Sequence, residues 1–257
     1  MEQFSIIKSV IDRAREEKVS LLAASIAYYA FFSIIPLLLL ILAIGSLIGG
    51  QTLADHIVGF VEDHLSSQGQ TVVEQALTTP AGRGGASVTG IVGFVWGGLK
   101  VFRVLSIAFD QVYQVEEESS LARQIVDGTL VLTLIGLSAV IMFGLGAVIH
   151  HEELIDIPGI DILGWIGLGM GLIVLFFPIF YVMPPVEVRL REVVPGTVFT
   201  VFGWFLFQAV FQLYAGNASD YQAYGLLGAV LLFLTWLYFA GILLLLGAAI
   251  NAVFADR

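Results

Sequence analysis

Six apolar runs, each about as long as a bilayer is thick, constrain this chain more than any other feature. They cover about residues 19–50, 88–109, 125–149, 162–183, 196–214 and 224–254. A hydrocarbon layer of about 30 Å takes roughly 20 apolar residues per helix, and backbone crossing it must bond to itself. The periodicity suggests no strands. The expected fold is therefore all-α: a polytopic membrane protein, with six transmembrane helices forming one transmembrane domain over residues 1–257. The first run holds Pro36, the fourth holds Pro178 and ends at Pro184-Pro185, and the fifth begins after Pro195-Gly196. The first and last exceed one span, which implies tilt or a protruding end.

Composition agrees. The chain is 58% apolar and 12% charged, whereas a soluble domain is about half apolar and a quarter charged. This excludes a disordered protein, a nucleic-acid-binding module and most soluble enzymes. With no cysteine there is no disulfide framework and no thiolate metal site or nucleophile.

Residues 1–18 read as an interfacial helix, with Phe4, Ile7, Val10 and Ile11 on one side and Lys8, Arg13, Arg15 and Lys18 mostly elsewhere. The apolar run that follows is too long for a cleaved signal. Residues 51–87 carry two stretches of helical periodicity and then Gly82-Arg83-Gly84-Gly85, the pattern of short extracytoplasmic amphipathic helices before a flexible break.

Basic residues set orientation. With a cytoplasmic N-terminus, Lys8, Arg13, Arg15, Lys18, Arg123, Arg189, Arg191 and Arg257 all lie inside and only Arg83 lies outside. Six spans return the C-terminus to the cytoplasm. The expected location is the plasma membrane, with both termini cytoplasmic. The outer segments then hold nine carboxylates, most of the excess behind the net charge of −10. So acidic a surface repels itself unless cations screen it, which predicts a halophile-like host; cation attraction near a pore mouth is the alternative.

Motifs speak mostly by absence. There is no phosphate-binding loop, no HExxH, no GxSxG and no dinucleotide fingerprint. His150-His151-Glu152-Glu153, with Asp156 close by, is the densest donor cluster, but adjacent histidines on a helix point about 100° apart. It reads first as an acidic solvated turn, with a metal or proton-sensing site as the rival. No cofactor or metal is expected.

Lys100, Arg103 and Asp110 share one face of the second span. Charges at membrane depth are costly and face a bundle interior or wet cavity, so these residues form a candidate site for an anionic group, with Asp110 orienting the cations. The competing reading is snorkelling to the interface. Gln208 and Gln212 lie one turn apart on the fifth span, either bonding neighbouring helices or lining a polar path. Tyr28, Tyr29 and Ser33 precede Pro36, where hydroxyls can take up a carbonyl that proline frees. Gly45/Gly49, Gly93/Gly97 and Gly167/Gly171 fit the small-xxx-small pattern of close helix packing, within the chain or in a homo-oligomer.

Together these stretches resemble the BrkB/YihY family of membrane proteins. The likeness rests on Leu22 to Pro36 (LAASIAYYAFFSIIP), Arg191 to Gly196 (REVVPG), Tyr221 to Ala229 (YQAYGLLGA), Trp236-Leu237-Tyr238 and Gly247 to Asn251 (GAAIN), with Lys100 where a basic residue is usual. Departures stand out: Leu226 replaces a serine, Ala249 replaces a glutamate, and Arg103 and Asp110 also differ from the usual residues, so any proton relay through that glutamate elsewhere has no counterpart here. The resemblance implies links to virulence, envelope integrity and lipid or amphiphile export, and brings an old ribonuclease label. The residues speak against the label, because the cytoplasmic segments hold ten acids beside eight cations and no histidine.

The expected function is a transporter-like protein, not an enzyme, moving an anionic amphiphile such as a lipid. Membrane lipids are its partners and nucleic acid is not. The alternative is a non-transporting envelope or scaffold protein.

Overall fold

The computed structural model describes residues 2–48, 100–115, 120, 122–131, 133–134, 137, 160–217 and 225–255, and among these it contains seven helices and no strand. They are α1 (Glu2–Glu16), α2 (Val19–Ile48), α3 (100–112), α4 (122–131), α5 (Ile160–Val182), α6 (Leu190–Asn217) and α7 (Gly225–Phe254). The chain divides into two compact units, Tyr28–Val101 and the remainder, Met1–Ala27 with Phe102–Arg257. The first, fourth, fifth and sixth apolar runs are helical wherever described. Of the second and third, 100–109 and most of 125–137 are described and helical. Residues 51–87 lie outside the described residues.

Two stretches, Leu190–Tyr214 and Val230–Phe254, are long and apolar enough to cross a membrane, with mean hydropathy of 1.6 and 2.4. A core helix of a soluble protein would be mostly buried, yet less than a third of either is. The exposed residues of α6 include Val194, Val198, Phe202, Leu206, Val210 and Leu213, with Leu190, Phe199 and Tyr214 exposed beside them. Steps of three and four keep the first six on one face over about 29 Å, the thickness of a hydrocarbon layer. Phe202 is 71% exposed, which in water would be an aggregation hazard.

Inside the larger unit, α5, α6 and α7 pack as consecutive antiparallel neighbours. Phe109, Phe180, Val193, Leu245, Ala248 and Ala252 fill the core between α3 and these helices. The α6–α7 contact closes on small residues. A Cβ on Gly196 would overlap the carbonyl oxygen of Gly247, and one on Gly247 would overlap Thr200 Oγ1. Farther along, a Cβ on Gly203 would lie 2.8 Å from a Leu243 methyl. The same zip carries polar bonds: the Gly196 amide donates to Asn251 Oδ1 at 2.6 Å, and Thr200 Oγ1 donates to the Leu243 carbonyl at 3.4 Å. The expected Gly167/Gly171 pair is different. Gly167 has nothing within 4 Å of its Cβ direction, while Gly171 is buried.

Helix ends are closed by side chains. The spacing after Pro195-Gly196 predicts the fifth span's start, but α6 begins at Leu190 and holds Pro195 inside. The reason is local: Glu192 reaches back to accept the Arg189 amide at 3.1 Å, half of a capping box, which starts the helix before the proline. On α4, Ser120 Oγ accepts the Arg123 amide at 3.3 Å, an N-cap bond. In α2, Ser33 Oγ donates to the Tyr29 carbonyl at 2.8 Å. That carbonyl is one turn back from Ser33, not the Phe32 carbonyl whose i+4 donor Pro36 removes.

Candidate functional site

The carboxyl end of α3 is a closed polar junction in the larger unit: each of its last four carbonyls has a donor. Phe109 O accepts from Tyr113 N, Asp110 O from Val115 N, and Gln111 O from Gln114 N, all at 2.9 Å. The last two form a Schellman pair. Gln114 occupies the left-handed position with φ 56°, a place that glycine takes most easily. Its amide Nε2 donates to Glu17 Oε1 at 3.0 Å, tying that turn to the end of α1. The fourth carbonyl, Val112 O, accepts from Arg13 Nη1 at 3.0 Å. Arg123 does the same for the turn after α5. Its Nη1 and Nη2 donate to the carbonyls of Pro185 and Pro184 at 3.2 and 3.1 Å, while Nε meets Asp127 Oδ2 at 3.3 Å. Two cations read from the sequence as orientation signals therefore close helix ends, where the macrodipole favours positive charge.

The expected site residues are distributed unevenly. Lys100 belongs to the smaller unit, is half-buried, and its Nζ stands 6.0 Å from the Tyr29 ring centroid, a cation–π distance. Arg103 and Asp110 belong to the larger unit. Arg103 is exposed and Asp110 is 3% exposed. Seven residues of helix separate these two by about 10 Å, so one face of α3 runs from an open end to a covered one. Gln208 Oε1 accepts from Trp236 Nε1 at 3.4 Å, an α6-to-α7 bond. Around it Trp204 and Trp236 meet edge to face at 5.4 Å, with Phe207 against both. Gln212 is exposed.

What sequence reasoning missed is the polar company of Asp110. Beside Asp110 itself, Ser106 on α3, Gln124 on α4, Thr197 and Thr200 on α6 and Asn251 on α7 are all buried. Asn251 is 1% exposed and, among the described residues, its Nδ2 has no hydrogen-bond partner. A buried amide donor left unmade costs about 1–3 kcal/mol. The legible signal was Asn251 inside an apolar run, one turn from Gly247.

A second polar feature lies at the bend between α1 and α2, where a cavity of about 560 Å³ is lined by Arg15, Lys18 and Ser20 beside apolar side chains. An apolar groove of about 480 Å³ adjoins it, sharing Ile11 and Leu246. Among the described residues no three metal-ligating side chains converge. The His150 to Asp156 cluster lies outside the described residues.

Known proteins resemble this chain along nearly its whole length. YfkH of Bacillus subtilis (strain 168), whose name describes it as ribonuclease-like, is 25% identical over 98% of this chain and 96% of its own. A membrane protein of Psychrobacter sp. (strain PRwf-1) is 22% identical over 96% of this chain and 48% of its own. For one of Aromatoleum aromaticum the values are 25%, 90% and 58%. The chain thus spans about half the length of these two membrane proteins. No solved structure matches. The sequence model of the family described as virulence factor BrkB matches residues 10–257. Covering all but the first nine residues, that match means that the chain belongs to the BrkB family of membrane proteins.

Proposed function

We propose that this chain is a plasma-membrane protein, with cytoplasmic termini, that moves or exports an anionic amphiphile such as a lipid. One observation carries the reading: an apolar exterior encloses polar side chains on four helices, Ser106, Asp110, Gln124, Thr197, Thr200 and Asn251. Of these, Asp110 is the ionisable one, and an ionisable side chain within membrane-spanning helices is a functional-site candidate by default. In this reading Lys100 and Arg103 bind the head group, Asp110 orients them, and Gln208 and Gln212 line the path. The orientation is supported by Arg13, Arg15, Lys18, Arg123, Arg189 and Arg191, which all flank helix ends of the larger unit and fit the rule that cytoplasmic ends are basic. Chemistry on RNA is no part of the proposal; a labelled RNA incubated with the purified chain should stay intact.

The test is lipid scrambling in reconstituted vesicles, comparing the wild type with Lys100→Ala and Arg103→Ala. Slower movement of an anionic lipid in either variant supports the assignment, and equal rates in all three remove both residues from it. A second reading, a non-transporting scaffold, is favoured by the close-packed core around the fully buried Phe109, Phe180 and Leu245. Vesicles with no protein-dependent movement would favour it.

A further inference from the structure

The bend between α1 and α2 brings two cations over an apolar floor. Arg15 lies in the last turn of α1, and Lys18 holds the left-handed conformation, φ 51°, between the helices. Backbone bonds fix that bend: the Lys18 amide donates to the Arg15 carbonyl at 3.2 Å, and the Lys18 carbonyl accepts the Leu21 amide at 2.8 Å. Both side chains and Ser20 line the 560 Å³ cavity, whose other walls include Leu21, Ile242 and Leu246.

None of the nearby carboxylates, Asp12, Glu16 and Glu17, lines it, and Glu17 accepts a bond from Gln114. The lining therefore carries two cations, no carboxylate and greasy walls. Inorganic phosphate would gain only from the charge, and a neutral lipid only from the walls. An anionic phospholipid uses both, because its phosphate meets two cations and its chains cover Leu21 and Ile242.

We infer that this bend binds the headgroup of an anionic phospholipid. The inference rests on the anionic-amphiphile reading above and supplies its lipid class and docking point. Binding is measured without movement, so the two fail separately: preference without flux overturns transport alone, and flux without preference overturns this site alone.

The experiment titrates the full chain in detergent with dioleoylphosphatidylglycerol or dioleoylphosphatidylcholine and counts bound lipid by native mass spectrometry. The wild type should favour phosphatidylglycerol by about tenfold or more. Arg15→Gln and Lys18→Asn should each cut that preference to about threefold or less, asparagine being chosen because it tolerates positive φ. Arg15→Lys and Lys18→Arg should keep it. Lys8→Gln, an exposed α1 cation outside the cavity, should keep it as well. Equal affinity for the two lipids in the wild type would overturn the site. So would a preference unchanged in the Arg15→Gln, Lys18→Asn double variant, or one lowered as much by Lys8→Gln.

Discussion

A single missing methyl decides how closely α6 and α7 approach. At Gly196 a side chain has nowhere to go, because what it would meet first is backbone, the carbonyl of Gly247, with the buried Asn251 carboxamide just beyond it. Gly196→Ala should therefore cost about 2–3 kcal/mol through forced separation of the helices. In thermal unfolding in detergent its midpoint should fall well below that of Gly167→Ala, whose Cβ would meet open space; similar midpoints would refute the packing assignment. Gly196 stood out in the sequence as the residue beside Pro195 before the fifth run and as the last of the REVVPG stretch, not as a packing residue. Its packing role depends on Gly247 and Asn251, more than fifty residues away, a distance over which local periodicity carries no information. Lys100 was more legible. A lysine within an apolar run has to be sheltered or stretched toward water, and a half-buried position against Tyr29 is one physical answer.

At the scale of elements, the sequence revealed where helices run better than where they stop. Apolar length located α2, α5 and α7 within a few residues because each apolar run ends close to where its helix does. The start of α6 was missed because a proline read as a boundary, whereas Glu192 bonding back to Arg189 sets the end six residues earlier. The end of α3 shows the same limit. Nothing local to Val112 predicts that Arg13, ninety-nine residues away, supplies its donor. Arg13→Ala should uncover that carbonyl and loosen α1 from α3, at a cost of about 1–2 kcal/mol. Amide exchange should rise across residues 109–115, whereas Arg15→Ala, whose side chain lines the lipid cavity, should leave those amides protected. Unchanged exchange in Arg13→Ala would mean that water serves Val112 equally well.

Among the described residues of the larger unit, apolar side chains both fill the core and cover much of the surface, with a handful of polar groups inside, and a soluble domain does not leave so many large apolar side chains uncovered. This was legible from composition alone. The polar interior was not, since threonine, serine and asparagine are common in membrane helices and their burial depends on which face meets a neighbour. The exposed stripe of α6 offers a test. Leu206 sits near its middle and is 60% exposed, so Leu206→Arg adds a charge at the depth where one costs about 2.5–3.5 kcal/mol. Gln212→Arg, nearer the end of the helix, should cost less because its stem can reach the interface. Fractionation after expression should show Leu206→Arg depleted from membranes relative to Gln212→Arg; equal recovery would argue that α6 lies inside protein.

Charge at the same scale carries a further consequence. Eleven basic residues face twenty-one acidic ones, and under the proposed orientation most of the excess falls in the outer segments. Repulsion among exposed carboxylates ranges over about 10 Å at 0.1 M salt and about 3 Å at 1 M. The folded state, which concentrates those charges, should therefore gain stability as salt rises, whereas helices held by apolar contact change little over the same range. Unfolding midpoints measured from 0.05 to 2 M potassium chloride should climb steeply at first and then level off as screening saturates. Replacing Glu62, Asp63 and Glu74 by their amides should flatten the early rise. A flat curve for the wild type would mean that the acidic face is already neutralised by bound cations, which would favour the pore-mouth alternative over adaptation to salt.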